Sequence, residues 1–145
     1  MIRVLVAIDD SPPALAAAAL AIDYAKTQPA QLHFVTVAEP GTDASAILGH
    51  ATALAGHAGV TATVAATDGG QPFEALLAEA HSWGADIIVM GRSDIRRPGQ
   101  PYVGSQTEHL LEFTDIPVLV VPEPQPTRRR RSKPPPAGYN AMRRR

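Results

Sequence analysis

A polar loop with glycine at each end carries the clearest chemistry in the sequence. MGRSDIRRPGQPYVGSQTEHLLEF, from Met90 to Phe113, starts as the end of an apolar strand, passes through a loop from Arg92 to Gly104, and enters a helix at Ser105. Gly91 lets the backbone turn tightly after the strand. Ser105 and Glu108 have the spacing of a capping box. A helix start offers unpaired N–H groups and a partial positive charge, which suits a phosphate. The same residues also read as no more than a capped helix after a surface loop. Arg92, Arg96 and Arg97 bring guanidinium forks that match phosphate oxygens. Asp94 sets a carboxylate among them, so the Arg residues could equally pair with it or stay solvated.

Other reactive side chains are less well arranged. Asp9 and Asp10 are adjacent at a strand end, where their side chains diverge and cannot share a metal. The five His residues (His33, His50, His57, His81 and His109) lack metal-ligand spacing. No Ser-His-Asp set or carboxylate pair can be argued, and with no Cys there is neither thiolate chemistry nor a disulfide. The expectation is no metal site and no catalytic residue.

The elements that position these residues alternate along the chain. Apolar runs at residues 2–8, 32–37, 60–67, 85–91 and 117–121 read as strands. Ser11 before Pro12 and Pro13 is a helix start, and that helix should end near Pro29. Further helices are expected over about 44–58, from Pro72 with Phe73, Leu76, Leu77, Ala80 and Trp83 on one face, and over 105–113. Gly69 and Gly70 read as a turn. Several strands are continuously apolar, so both faces are buried and the sheet is parallel, covered by helices. Ligands of such sheets sit beyond the carboxyl ends of the strands, where the winding reverses. Asp9, Val37 and the loop after Gly91 all lie at that end.

Length and charge set the frame. The 145 residues suit one domain, with no apolar run near the ~20 residues that span a bilayer. Acidic residues follow the first apolar run at once, and no signal peptide is expected. A cytoplasmic address fits these features. Residues 1–122 hold 13 acidic and 5 basic residues, a net −8. Residues 123–145 hold one acidic and 8 basic, a net +7. The tail PEPQPTRRRRSKPPPAGYNAMRRR, from Pro122, is rich in Pro and Arg and is expected to be disordered. Its charge suits contact with nucleic acid or an anionic surface.

Taken in order, these pieces resemble the universal stress protein family. Its ATP-binding members carry G-x2-G-x9-G-[ST] after the fourth strand; this chain has Gly91-x2-Asp94-x9-Gly104-Ser105. VAIDDSPPA, LHFVTV, DIIVMG and IPVLVVP resemble the strands around it, and the resemblance covers residues 2–122. It implies a doubly wound, Rossmann-like α/β domain with strand order 3-2-1-4-5 and helices on both faces. It also implies an adenine-nucleotide site in which Asp9 holds the ribose hydroxyls, Val37 offers backbone groups to the adenine, and Met90 and Gly91 line base and sugar. Gly104 and Ser105 would take the phosphates, next to Arg92 and Asp94. Asp94 stands where the family has its second glycine, which implies weakened ATP binding. A metal ion such as Mg would accompany ATP. The implied role is a stress-response regulatory module, with at most slow ATP hydrolysis and a homodimer formed through Val118, Leu119, Val120 and Val121. The alternative is a dimeric adaptor that has lost nucleotide.

Overall fold

In a computed structural model the structure describes residues 1–68, 71–92 and 105–123. The elements run β1 (Ile2–Ala7), α1 (Pro12–Thr27), β2 (Ala30–Val37), α2 (Ala44–His57), β3 (Ala62–Thr67), α3 (Pro72–Trp83), β4 (Ile87–Gly91), α4 (Ser105–Phe113) and β5 (Val118–Val121). All strand pairs are parallel and the order is β3-β2-β1-β4-β5. The doubly wound sheet expected from the sequence is therefore present. The Asp94 loop, the Gly69-Gly70 turn and the tail beyond Glu123 lie outside the described residues.

Local signals set the helix ends. Ser11 Oγ accepts the Ala14 N–H at 3.3 Å, and Pro12 and Pro13 follow in the first turn of α1. α1 ends before Pro29, with the Gln28 N–H bonded to Tyr24 O. Asp43 caps α2 by accepting the Ala46 N–H at 3.0 Å. Gly84, at φ 79°, closes α3 in the left-handed conformation that favours glycine. α4 has Ser105 as its first helical residue.

Both faces of the sheet are packed. Val4, Val6, Leu32, Phe34 and Val89 form one core with α1 and α2. Leu5, Val35 and Ile88 form the other with Leu76 and Ala80 of α3 and Leu110 of α4. Alternate residues of each central strand thus enter opposite cores, which is why those strands are apolar throughout.

One buried residue breaks that pattern. His33 lies inside β2 yet is buried. Its Nδ1 is 2.6 Å from Thr63 Oγ1 and its Nε2 is 2.8 Å from Glu79 Oε1. Trp83 stacks on its ring at 4.8 Å, and the Arg3 guanidinium lies 4.2 Å from the indole centroid. The polar atoms of His33 are therefore satisfied, which makes its burial tolerable. Trp83 serves as the lid of this cluster, at the end of the sheet opposite the carboxyl ends of the strands.

The expected dimer strand is an edge among the described residues, where β5 pairs with β4 alone. Its four residues do not share one environment. Val118 and Val120 pack toward the α3/α4 core, whereas Leu119 is 42% exposed.

Candidate functional site

The strand order reverses its winding between β1 and β4, and a cleft opens at that point beyond the carboxyl ends of β1, β2 and β4. Its volume is about 210 Å³. Asp9 and Ser11 border it from the β1–α1 turn, Thr36, Val37, Glu39 and Thr42 from β2 and the loop after it, and Met90 and Gly91 from β4. Pro72 and Leu76 of α3 and Gln106 of α4 close the remaining side. The cleft thus brings together Asp9 from the turn after β1, Val37 from β2, and Met90 and Gly91 from β4.

Each of these has a specific local setting. Asp9 Oδ1 accepts the Ser11 N–H at 2.8 Å, an Asx turn that leads into α1. Its second oxygen accepts no hydrogen bond from the other described residues. β1 ends at Ala7 while β2 continues to Val37. The Ile8 N–H donates to Val35 O at 2.9 Å. Since hydrogen-bonding direction alternates along a strand, Val37 N–H and C=O point past the end of β1 toward the cleft. Adenine offers a donor and an acceptor on one edge, and such a backbone pair matches it. Met90 is buried against the α3/α4 core and forms the floor.

Gly91 also meets a packing demand that the sequence alone did not indicate. It is the last residue of β4, and a Cβ there would lie 2.4 Å from Pro13 C and 2.6 Å from Ala14 N and Pro13 O. The glycine lets the start of α1 lie directly on the strand end. Arg92 follows it, and the Arg92 N–H donates to Val121 O at 2.7 Å. Arg92 is not among the residues bordering the cleft. Asp94, Gly104 and the Ser105 side chain lie outside the described residues, while the backbone of Ser105 begins α4.

Several bordering residues had no role in the sequence reading. Glu39 and Thr42 form a small turn in which Thr42 Oγ1 donates to Glu39 O at 2.7 Å and Gly41 takes φ 86°. Gln106 Oε1 accepts the Phe73 N–H at 3.2 Å and so ties the start of α4 to the start of α3. The signal for the first was the Glu-Pro-Gly-Thr turn immediately after a strand at the ligand-facing end. Nothing local to Gln106 marks it. Among the described residues no group of three His, Cys, Asp or Glu could hold a metal ion. Asp9 and Glu39 are the carboxylates among the described residues that border the cleft, so a metal ion there would need further ligands such as phosphate oxygens.

The sequence model of the universal stress protein family matches residues 1–122. The chain belongs to the universal stress protein family. Its fold is similar to a universal stress protein solved in complex with cAMP, at 27% identity and TM-score 0.71, over 85% of this chain and 98% of that one. A universal stress protein family member from Burkholderia pseudomallei matches at 27% identity and TM-score 0.64, over 83% and 95% of the two chains. The universal stress protein from Archaeoglobus fulgidus solved with dAMP matches at 20% identity and TM-score 0.67, over 83% and 98%. No curated protein gives a sequence match. No helix among the described residues is long and apolar enough to cross a membrane.

Proposed function

We propose that this universal stress protein is an adenine-nucleotide-binding regulatory module of the stress response. The observation that carries the reading is the Val37 backbone, which extends past β1 and offers a donor and an acceptor to the cleft. Adenine pairs with that backbone, the ribose hydroxyls with Asp9, and the phosphates with Gly104 and the N–H groups at the start of α4. That relatives of this fold were solved with cAMP and dAMP supports a purine ligand. ATP, with Mg on its phosphates, binds weakly because Asp94 opposes the outer phosphates.

A substitution series tests this by calorimetry. Two unit charges ~4 Å apart repel by about 4 kcal/mol at an effective dielectric of 20. Solvent and the neighbouring Arg residues reduce that, so Asp94→Gly should tighten ATP binding by about 1–2 kcal/mol, or roughly tenfold. Ser105→Ala on top of Asp94→Gly should weaken it again. AMP, which lacks the outer phosphates, should respond much less to Asp94→Gly. Absence of ATP binding in both the wild type and Asp94→Gly would end the nucleotide reading in favour of a nucleotide-free dimeric adaptor.

Homodimer formation through β5 has its own support. Pro117 O accepts the Ile88 N–H of β4, and Val121 O accepts the N–H of Arg92 just past it. By strand alternation, Val118 and Val120 turn their backbone groups to the open edge. Beside that edge lies an apolar groove of about 270 Å³, lined by Leu20, Tyr24, Ile87, Val89 and Leu119 among others. Leu119 is the position to perturb, because Val120 packs in the core and a Lys there would damage the fold. Leu119→Lys should convert a dimer to a monomer in sedimentation at tens of micromolar, a rough working range, with an unchanged far-UV spectrum. A wild type that sediments only as monomer would refute the dimer.

A further inference from the structure

The outer surface of α3 and α4 carries an acidic and aromatic patch that the cleft does not use. Phe73 of α3 stacks on Phe113 of α4 with centroids 5.7 Å apart, and the His109 ring lies 5.1 Å from Phe73. Phe113 is 63% exposed and adjoins the partly exposed Phe73. Large apolar side chains grouped in this way mark an interaction surface more often than a bare one. Among the described residues of α3 and α4 the acidic and basic side chains other than His are all carboxylates, while Arg92, Arg96 and Arg97 belong to the loop that precedes α4. Glu74 follows Phe73, and Glu108 and Glu112 sit one turn apart on α4, all three exposed. Asp115 follows α4 and meets His81 at 3.2 Å. The sequence has no Lys or Arg between Lys26 and Arg92, and none from Ser105 to Glu123. Exposed rings fringed by carboxylates recognise guanidinium groups, which stack on the ring face and fork onto the carboxylates.

We propose that the Arg-rich segment of this same chain, residues 124–145, docks on the α3/α4 patch. Three observations select this occupant. Its charge is complementary: 8 basic residues in 123–145 face a body of net −8. Its chemistry fits the rings, since 7 of those 8 are Arg. Its attachment also fits, because the tail leaves the body just after β5, the element that follows α4. Arg128 stands five residues past Glu123, a reach of roughly 17 Å, and α4 with its 9 residues is about 14 Å long. Tethering raises the effective concentration to the millimolar range, so weak individual contacts suffice. Polyanions such as nucleic acid then compete with the patch for the tail instead of meeting a free one.

The absence of Cys allows a single spin label on the full chain at Ser132→Cys. Paramagnetic broadening of amide signals should concentrate on Phe73, Glu74 and Glu108 to Phe113. It should fade at 1 M NaCl, where the Debye length is about 3 Å. Phe113→Ala keeps every charge and should reduce the broadening several-fold. Should that variant fold poorly, Glu108→Gln with Glu112→Gln, both at exposed positions, carries the same test. A mixture of labelled protein with isotope-enriched, unlabelled protein should show no broadening. Broadening spread evenly over the body, or centred on another face, overturns the proposal. Broadening in the mixture overturns it too, and assigns the patch to the tail of a second copy. Insensitivity to both sets of substitutions removes the rings and carboxylates from the account.

Discussion

Gly91→Ala should destabilise the domain by about 3 kcal/mol, the upper end of the range for overpacking a well-filled site. The added methyl would sit 2.4–2.6 Å from backbone atoms of Pro13 and Ala14, and backbone cannot rotate away as a side chain can. α1 would have to lift at its first turn. There it is stiffened by two prolines and held by the Ser11 cap. The expected loss in melting temperature is roughly 10 °C for a domain of this size. Gly49→Ala in α2 is the matched control. It is exposed, nothing lies within 4 Å of its added Cβ, and alanine in a helix interior should stabilise by about 0.5–1 kcal/mol. Opposite signs at the two glycines would establish packing against α1 as the need for Gly91. A Gly91→Ala protein as stable as the wild type, impaired only in ligand binding, would show instead that the glycine serves the ligand.

The contrast at Gly91 marks how far the sequence could be read. The strands were legible because both faces are packed: Val4 and Leu5, or Phe34 and Val35, enter opposite cores, and apolar runs follow from that. Asp9 and Val37 could be assigned to one end of the sheet for the same reason, since parallel strands put their carboxyl ends together. Contacts between distant segments were not legible. A glycine at a strand end shows freedom, but not that a helix 78 residues earlier in the chain lies against it. Gln106 reaches Phe73 across 33 residues, and the sequence around either gives no sign of it. Trp83 kept its helical spacing yet serves a buried His33 near the opposite end of the sheet, because it is the last residue of α3. Val120 and Leu119 are equally apolar, and only their alternation against α4 decides which one meets solvent.

Asp9→Ala should weaken AMP binding by about 10–100-fold, the worth of a hydrogen bond to a charged group at 1.5–3 kcal/mol. Asp9 has two duties that a single substitution would confuse. One oxygen accepts the Ser11 N–H and shapes the entry to α1, while the proposed function assigns the other to the ribose hydroxyls. Asp9→Asn separates them. It retains an oxygen for the turn and a neutral group for the sugar, so its loss should be the smaller, since neutral hydrogen bonds contribute about 0.5–1.5 kcal/mol. The ligand supplies the complementary deletion. A 2′,3′-dideoxy analogue of AMP has no hydroxyls for Asp9 to hold. It should bind the wild type about as weakly as AMP binds Asp9→Ala, and should lose little further affinity to the substitution. Relief of repulsion between the carboxylate and the phosphate is common to both ligands and cancels in this cycle. Calorimetry on the four combinations gives a coupling of at least about 1.4 kcal/mol if Asp9 contacts the sugar. If the dideoxy analogue also drops tenfold on Asp9→Ala, the coupling vanishes. Asp9 would then act through the turn that carries Ser11 into α1, leaving the base-side contacts of Val37 to hold the nucleotide.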